Sequence, residues 1–192
     1  MSFHVDIDTG VDFVRFIRYL TQNTRGPPSS TTQNWLDVIL TRLRFACEDI
    51  ARRAIQEQHS DGPPLSKKWI HKKDMSWING TVTPPPYATS PSDVNVWSGF
   101  IDQYLTSWVI SNGTVNGGNG VKVGYNTNPV HPHSGRSLMR ILAGIHFGFQ
   151  ASGKFVQPRP FLNSSWARQQ YLQAAMRIVN EALNNILTTG AP

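Results

Sequence analysis

Trp35, Ile39, Leu43, Ala46, Ile50 and Ala54 recur at intervals of 4, 4, 3, 4 and 4 residues. That spacing sets all six side chains on one stripe of an α-helix, and a helix with one apolar face needs a partner surface to cover it. Asn34 is an N-cap residue by type, and Asp37 suits the positive end of the helix dipole. The run His59–Gly62 followed by Pro63 and Pro64 stops the pattern. The reading is a helix over residues 34–58.

The remainder must build the core against which that stripe packs. A chain of 192 residues suits one domain with arms. Its apolar share of 39% is low and its 15 Gly and 13 Pro are many, which predicts long loops and frequent turns. Phe3, Val5 and Ile7 alternate with polar residues, as a short strand does, and residues 11–20 follow with the pattern of a short helix. Residues 21–33 read as a polar linker. Residues 59–98 read as an extended irregular arm, because "TPPPYATSP" removes too many backbone donors for an interior element. "YLTSWVISN" is β-branched and aromatic, and "VKVGY" sets Val121, Val123 and Tyr125 on one face. With the glycine-rich tip between them they predict a long β-hairpin. The tip lacks the Lys-Ser/Thr ending of a phosphate-binding P-loop, so that reading is rejected.

A helix follows over "SGRSLMRILAGIHFG", with Leu138, Ile141, Leu142 and Ile145 inward and Gly148 as its stop. A loop from Gln150 to Lys154 and an extended "FVQPRPFL" lead to a final helix capped by Asn163 or Ser164. Its expected buried stripe is Leu172, Ala175 with Met176, Val179, Leu183, and Ile186 with Leu187. The fold class is α+β: an antiparallel sheet with a long β-hairpin packed against two main helices, in a single domain with extended loops and arms.

Function is harder to read. The start carries neither the basic nor the apolar stretch of a secretory signal, and no apolar run is long enough to cross a membrane. The sequons at Asn79, Asn112 and Asn163 are therefore read as chance. Cys47 is the single cysteine, which excludes an internal disulfide, fits a reducing cytoplasm, and reads as a buried small hydrophobe. His131, His133 and His146 are the only grouping that resembles zinc ligands. Two imidazoles flanking a proline do not converge as a helical pair does, and no carboxylate stands near them in sequence. His146 reads instead as a core or interface histidine. Asp6, Asp8 and Asp12 suit a strand and its turn. No nucleophile elbow, kinase signature or dinucleotide fingerprint is present. The expectation is a non-enzyme with no cofactor and no metal.

The net charge of +6 is unevenly placed. Eleven acids balance eleven bases up to Gln103, but from Tyr104 onward Glu181 stands alone against Lys122, Arg136, Arg140, Lys154, Arg159, Arg168 and Arg177. Such an excess points to a polyanion or an acidic protein as partner. "KKWIHKK" adds Lys67, Lys68, Lys72 and Lys73 around Trp69, a grouping that suits contact with DNA or a partner; its plainer reading is a solvated turn anchored by one tryptophan.

The order of features resembles the small head–tail connector, or tail-completion, proteins of tailed bacteriophages. In that family a helix leads to a Ser/Thr-Gly and Leu-Ser segment that opens a strand, matched loosely here by Ser98, Gly99, Ser107 and Trp108. A segment ending in Glu-Phe-Gly follows, then a Pro-x-Arg-Pro-Phe-Leu segment that opens the last helix. Ala143, His146, Phe147 and Gly148 match the former; Pro158, Arg159, Pro160, Phe161 and Leu162 match the latter. The usual acid is missing, since His146 directly precedes Phe147, and residues 59–98 are longer than the family pattern. The resemblance implies a virion protein, made in the bacterial host cytoplasm, that forms a homo-oligomeric ring of six or twelve copies in the neck. Its partners would be portal or adaptor and tail-tube or terminator proteins, with DNA passing non-specifically through the lumen and no membrane involved. Pro158 and Pro160 would preorganise an arm, Phe161 and Leu162 would anchor the last helix, and Arg159 would point outward or across a subunit contact. The alternative is a basic nucleic-acid-binding protein using the lysine cluster and the arginine-rich second half.

Overall fold

A computed structural model describes residues 3–7, 30–94, 98–110, 120–151 and 153–189. The elements are β1 (Phe3–Ile7), α1 (Ser30–Gln56), α2 (Lys67–Ile78), α3 (Phe100–Gln103), β2 (Thr106–Ile110), β3 (Gly120–Tyr125), α4 (Leu138–Phe147), β4 (Phe149–Ala151), β5 (Lys154–Val156) and α5 (Ser165–Thr189). The class is α+β. One sheet has the order β1-β3-β2, and β4 pairs with β5 in a second. Residues 111–119, the expected glycine-rich tip, and the expected short helix at 11–20 lie outside the described residues.

The chain forms two compact units, each assembled from three stretches. The first comprises Met1–His4, Ile50–Thr106 and Gly124–Arg168; the second comprises Val5–Asp49, Ser107–Val123 and Gln169–Pro192. In the second unit Ile39, Leu40, Leu43 and Cys47 are buried from α1, Val121 and Val123 from β3, and Tyr171, Ala174, Ala175, Ile178 and Ala182 from α5. Ser107 donates to Glu48, and Arg42 pairs with Glu181, so polar contacts join the same elements. The core of the first unit draws Ile50, Ala51, Ala54 and Ile55 from the end of α1, with Phe100, Leu105, Tyr125, Leu138, Leu142, Phe161 and Leu162.

Several expectations are met. β1 falls on the alternating residues, Val121, Val123 and Tyr125 are all buried, and α1 buries Ile39, Leu43, Ile50 and Ala54. Helix α1 begins earlier than the cap chemistry suggested: Ser30 opens it, so Asn34 lies within the helix rather than at its cap. Helix α4 ends at Gly148, whose φ of 74° is left-handed backbone that favours glycine. Ser164 is the residue before α5, and its hydroxyl accepts from the Ala167 amide at 3.2 Å.

Three expectations are corrected. Within the stretch read as an irregular arm, Lys67–Ile78 form a helix, with the Ser66 hydroxyl accepting from the Trp69 amide. The loop expected from Gln150 to Lys154 is part of a small hairpin, in which Phe149 pairs with Val156 and Gln150 with Phe155. The buried stripe of α5 is out of phase with the expected one: Ala175 is buried as read, Val179 and Leu183 are half-buried, but Leu172 and Met176 are 63% and 58% exposed. Tyr171 and Ile178 occupy the buried face instead, together with Ala174, Ala175 and Ala182.

Candidate functional site

The two segments that carry the family resemblance meet in the first unit. The Arg159 amide donates to the Ile145 carbonyl at 2.6 Å, and the ring of His146 sits edge-on to Phe161 at 5.2 Å. Phe161 and Leu162 are fully buried. At Gly148 a Cβ would collide with the Val156 carbonyl oxygen and the Phe155 ring. The end of α4, the β4–β5 hairpin and the proline arm are thereby locked into one joint.

A second chain segment ties that joint down. The Asp61 amide donates to the Pro160 carbonyl at 3.1 Å, while the Asp61 carboxylate accepts from the Ser165 amide at 2.9 Å and its hydroxyl at 2.8 Å. Arg159 donates through Nε to the Pro63 carbonyl at 2.7 Å and through Nη2 to the Pro64 carbonyl at 3.0 Å. Within its own chain the Arg159 guanidinium thus braces the loop at Pro63 and Pro64.

Beside the joint lies an open cleft of about 1470 Å³. Helix α2 lines it with Lys68, Trp69, Lys72 and Lys73, the loop 131–136 with His131 and Arg136, and α4 with Arg140 and Phe147. The β4–β5 hairpin contributes Phe149, Lys154 and Phe155, and Arg159 closes the rim. Seven bases thus face one acid, Asp93. That carboxylate is held by the Thr89 and Ser90 amides at 2.7 and 2.9 Å, which offsets its charge locally. Lys68, Lys72, Arg136, Arg140 and Lys154 are solvent-exposed. So are the aromatic rings of Trp69 at 39%, Phe147 at 71% and Phe155 at 50%.

The lysine cluster read from the sequence is therefore divided by the helix. Lys68, Trp69 and Lys72 share the face toward the cleft, and the Lys72 ammonium lies 5.1 Å from the Trp69 ring centre. Lys67 is exposed but does not line the cleft. Lys73 is buried: its ammonium donates to the Asp93 carbonyl at 2.6 Å and lies 4.8 Å from the Trp77 ring centre. Burial pulls its pKa down to about 8, against a smaller opposing effect of Asp93. Lys73 fastens the 93 loop to α2 and is not presented to a partner as the sequence suggested.

The histidines do not assemble as ligands. His131 Nδ1 accepts from the amides of His133 and Ser134, each at 3.2 Å, which assigns the ring proton to Nε2 and makes it the donor to the Ser98 hydroxyl at 3.0 Å. Both ring nitrogens are thus engaged in holding the turn. His146 is buried, and burial pushes its pKa down to about 4. Among the described residues no group of three or more His, Cys, Asp or Glu is arranged to hold a metal ion. Cys47 is fully buried, with its thiol pushed up to about 12 by desolvation, so it is not poised as a nucleophile.

No protein-family model matches this chain, and neither curated proteins nor solved structures give a match.

Sequence reasoning found both halves of this region but not their union. α2 and the 144–162 segment are about eighty residues apart in sequence, and nothing in either signals the other. Arg136 and Arg140 were legible only as part of a diffuse charge excess.

Proposed function

We propose that the chain is a non-enzymatic structural protein of a tailed-phage virion, which assembles as a homo-oligomeric ring in the neck. The ring joins the portal or its adaptor to the tail and lets DNA pass through its lumen. One observation carries this reading. The "IHFG" and "PRPFL" segments, on which the resemblance rests, are bonded to one another through Arg159 and Ile145 and through His146 and Phe161. They form a joint at which α5 begins, anchored by the buried Phe161 and Leu162, as an architectural role requires.

Self-association has a surface available. Leu172 and Met176 stand one turn apart on α5, both exposed, and Val38 and Phe45 are exposed on α1 in the same unit. A head-to-tail contact that buries such residues and closes on a rotation axis makes a ring. The mechanism is geometric: identical copies present a fixed lumen and fixed docking edges.

Size-exclusion chromatography with light scattering, followed by negative-stain microscopy, tests the proposal. Rings of six or twelve copies are the expected result, either free or captured on isolated portal or tail complexes. A protein that stays monomeric and is captured by neither complex overturns it.

A further inference from the structure

We infer that the cleft of the first unit binds single-stranded nucleic acid, with the strand's phosphates on its bases and unpaired bases stacked on its aromatic rings. This goes beyond the neck reading and does not depend on it.

Charge sets the class of ligand. Five exposed bases come from three separate places in the chain, namely α2, the 131–140 stretch and the β4–β5 hairpin, yet they line one concavity. The acid that shares the cleft is already held by two backbone amides. A polyanion therefore meets a surface of one sign, and each neutralised phosphate releases condensed counterions.

The aromatic side chains select among polyanions. Trp69, Phe147 and Phe155 line the cleft while remaining substantially exposed, and Lys72 stands beside the Trp69 ring. An exposed ring in a basic concavity offers a face on which an unpaired base can stack. The bases of a duplex are stacked on each other and shielded, whereas those of a single strand offer their faces. An acidic peptide would satisfy the cations but has no comparable need for several exposed rings. The combination of a basic groove with interleaved aromatic platforms fits a single strand best.

The test is fluorescence anisotropy of labelled dT20 with the full-length protein, alongside a 20-base-pair duplex and polyglutamate as competitors. With five phosphates neutralised, affinity for dT20 should fall about 100-fold between 50 and 200 mM salt. Trp69→Ala should weaken binding about 10-fold, as loss of one stacking platform does. Lys68→Ala with Lys72→Ala should flatten the salt dependence, while Arg177→Ala, on α5 in the other unit, should leave binding unchanged. Circular dichroism checks that these variants of exposed residues are folded. No binding of dT20 at 50 mM salt overturns the inference. So does duplex binding as tight as dT20 that ignores Trp69→Ala, which would mean backbone attraction alone. Stronger binding of polyglutamate than of dT20 also overturns it and points to an acidic protein partner. None of these outcomes depends on whether a ring forms.

Discussion

His146 and Lys73 show how burial changes what a titratable residue does. Lys73 belongs to a cluster read as suited to contact with a partner and His146 was read as a core or interface histidine; both are inside. His146 titrates at about 4 in the folded protein against about 6.5 unfolded, so between those values the unfolded chain binds more protons. Stability is complete above pH 6.5 and is lost as pH falls toward 4. His131 is shifted in the same direction, so part of the effect is its own. Urea midpoints at pH 7.5 and 4.5 should show His146→Phe removing about 2 kcal/mol of the acid-side loss. An unchanged difference between the two pH values would contradict the burial of His146. Lys73 has the same sign on the alkaline side: its desolvation penalty is present below pH 8 and relieved as pH rises toward the value of an unfolded lysine.

At the scale of elements, the joint after α4 rests on backbone geometry more than on side chains. Gly148 combines a left-handed φ with a carbonyl and a phenyl ring where a Cβ would stand. Gly148→Ala should therefore cost about 2 kcal/mol or more, by thermal denaturation, from strain and displacement of the β4–β5 hairpin. A loss of under about 0.5 kcal/mol, the usual cost of a neutral surface change, would show the joint to be plastic. Helix α5 teaches a different lesson. The face read from its spacing holds Leu172 and Met176, which are exposed, while the buried face carries Tyr171 and Ile178 among Ala174, Ala175 and Ala182. Two faces of this helix carry apolar residues at helical spacing, and the period alone does not say which of them has a neighbour.

For the whole molecule, the surface left over by that choice bears on assembly. If the ring forms through the second unit, Leu172→Glu with Met176→Glu should convert it to monomers in light scattering, with the far-ultraviolet spectrum unchanged. Rings that survive the double substitution would move the contact elsewhere. The cleft belongs to the first unit, so dT20 binding in that variant should be retained.

The features legible in the chain alone are local. The α1 stripe, the β3 face, the Gly148 stop, the Ser164 cap and a buried Cys47 follow from spacing, φ preference and side-chain chemistry within a few residues. Lys67–Ile78 escaped because basic and polar residues leave its helical period faint, and the β4–β5 hairpin because its strands are three residues each. Long-range packing sets which α5 face is buried, which lysines of "KKWIHKK" reach the cleft, and that Arg159 braces Pro63 and Pro64. Each of these is a contact between distant stretches of chain, and a contact of that kind leaves no period, cap or turn signal in either partner alone.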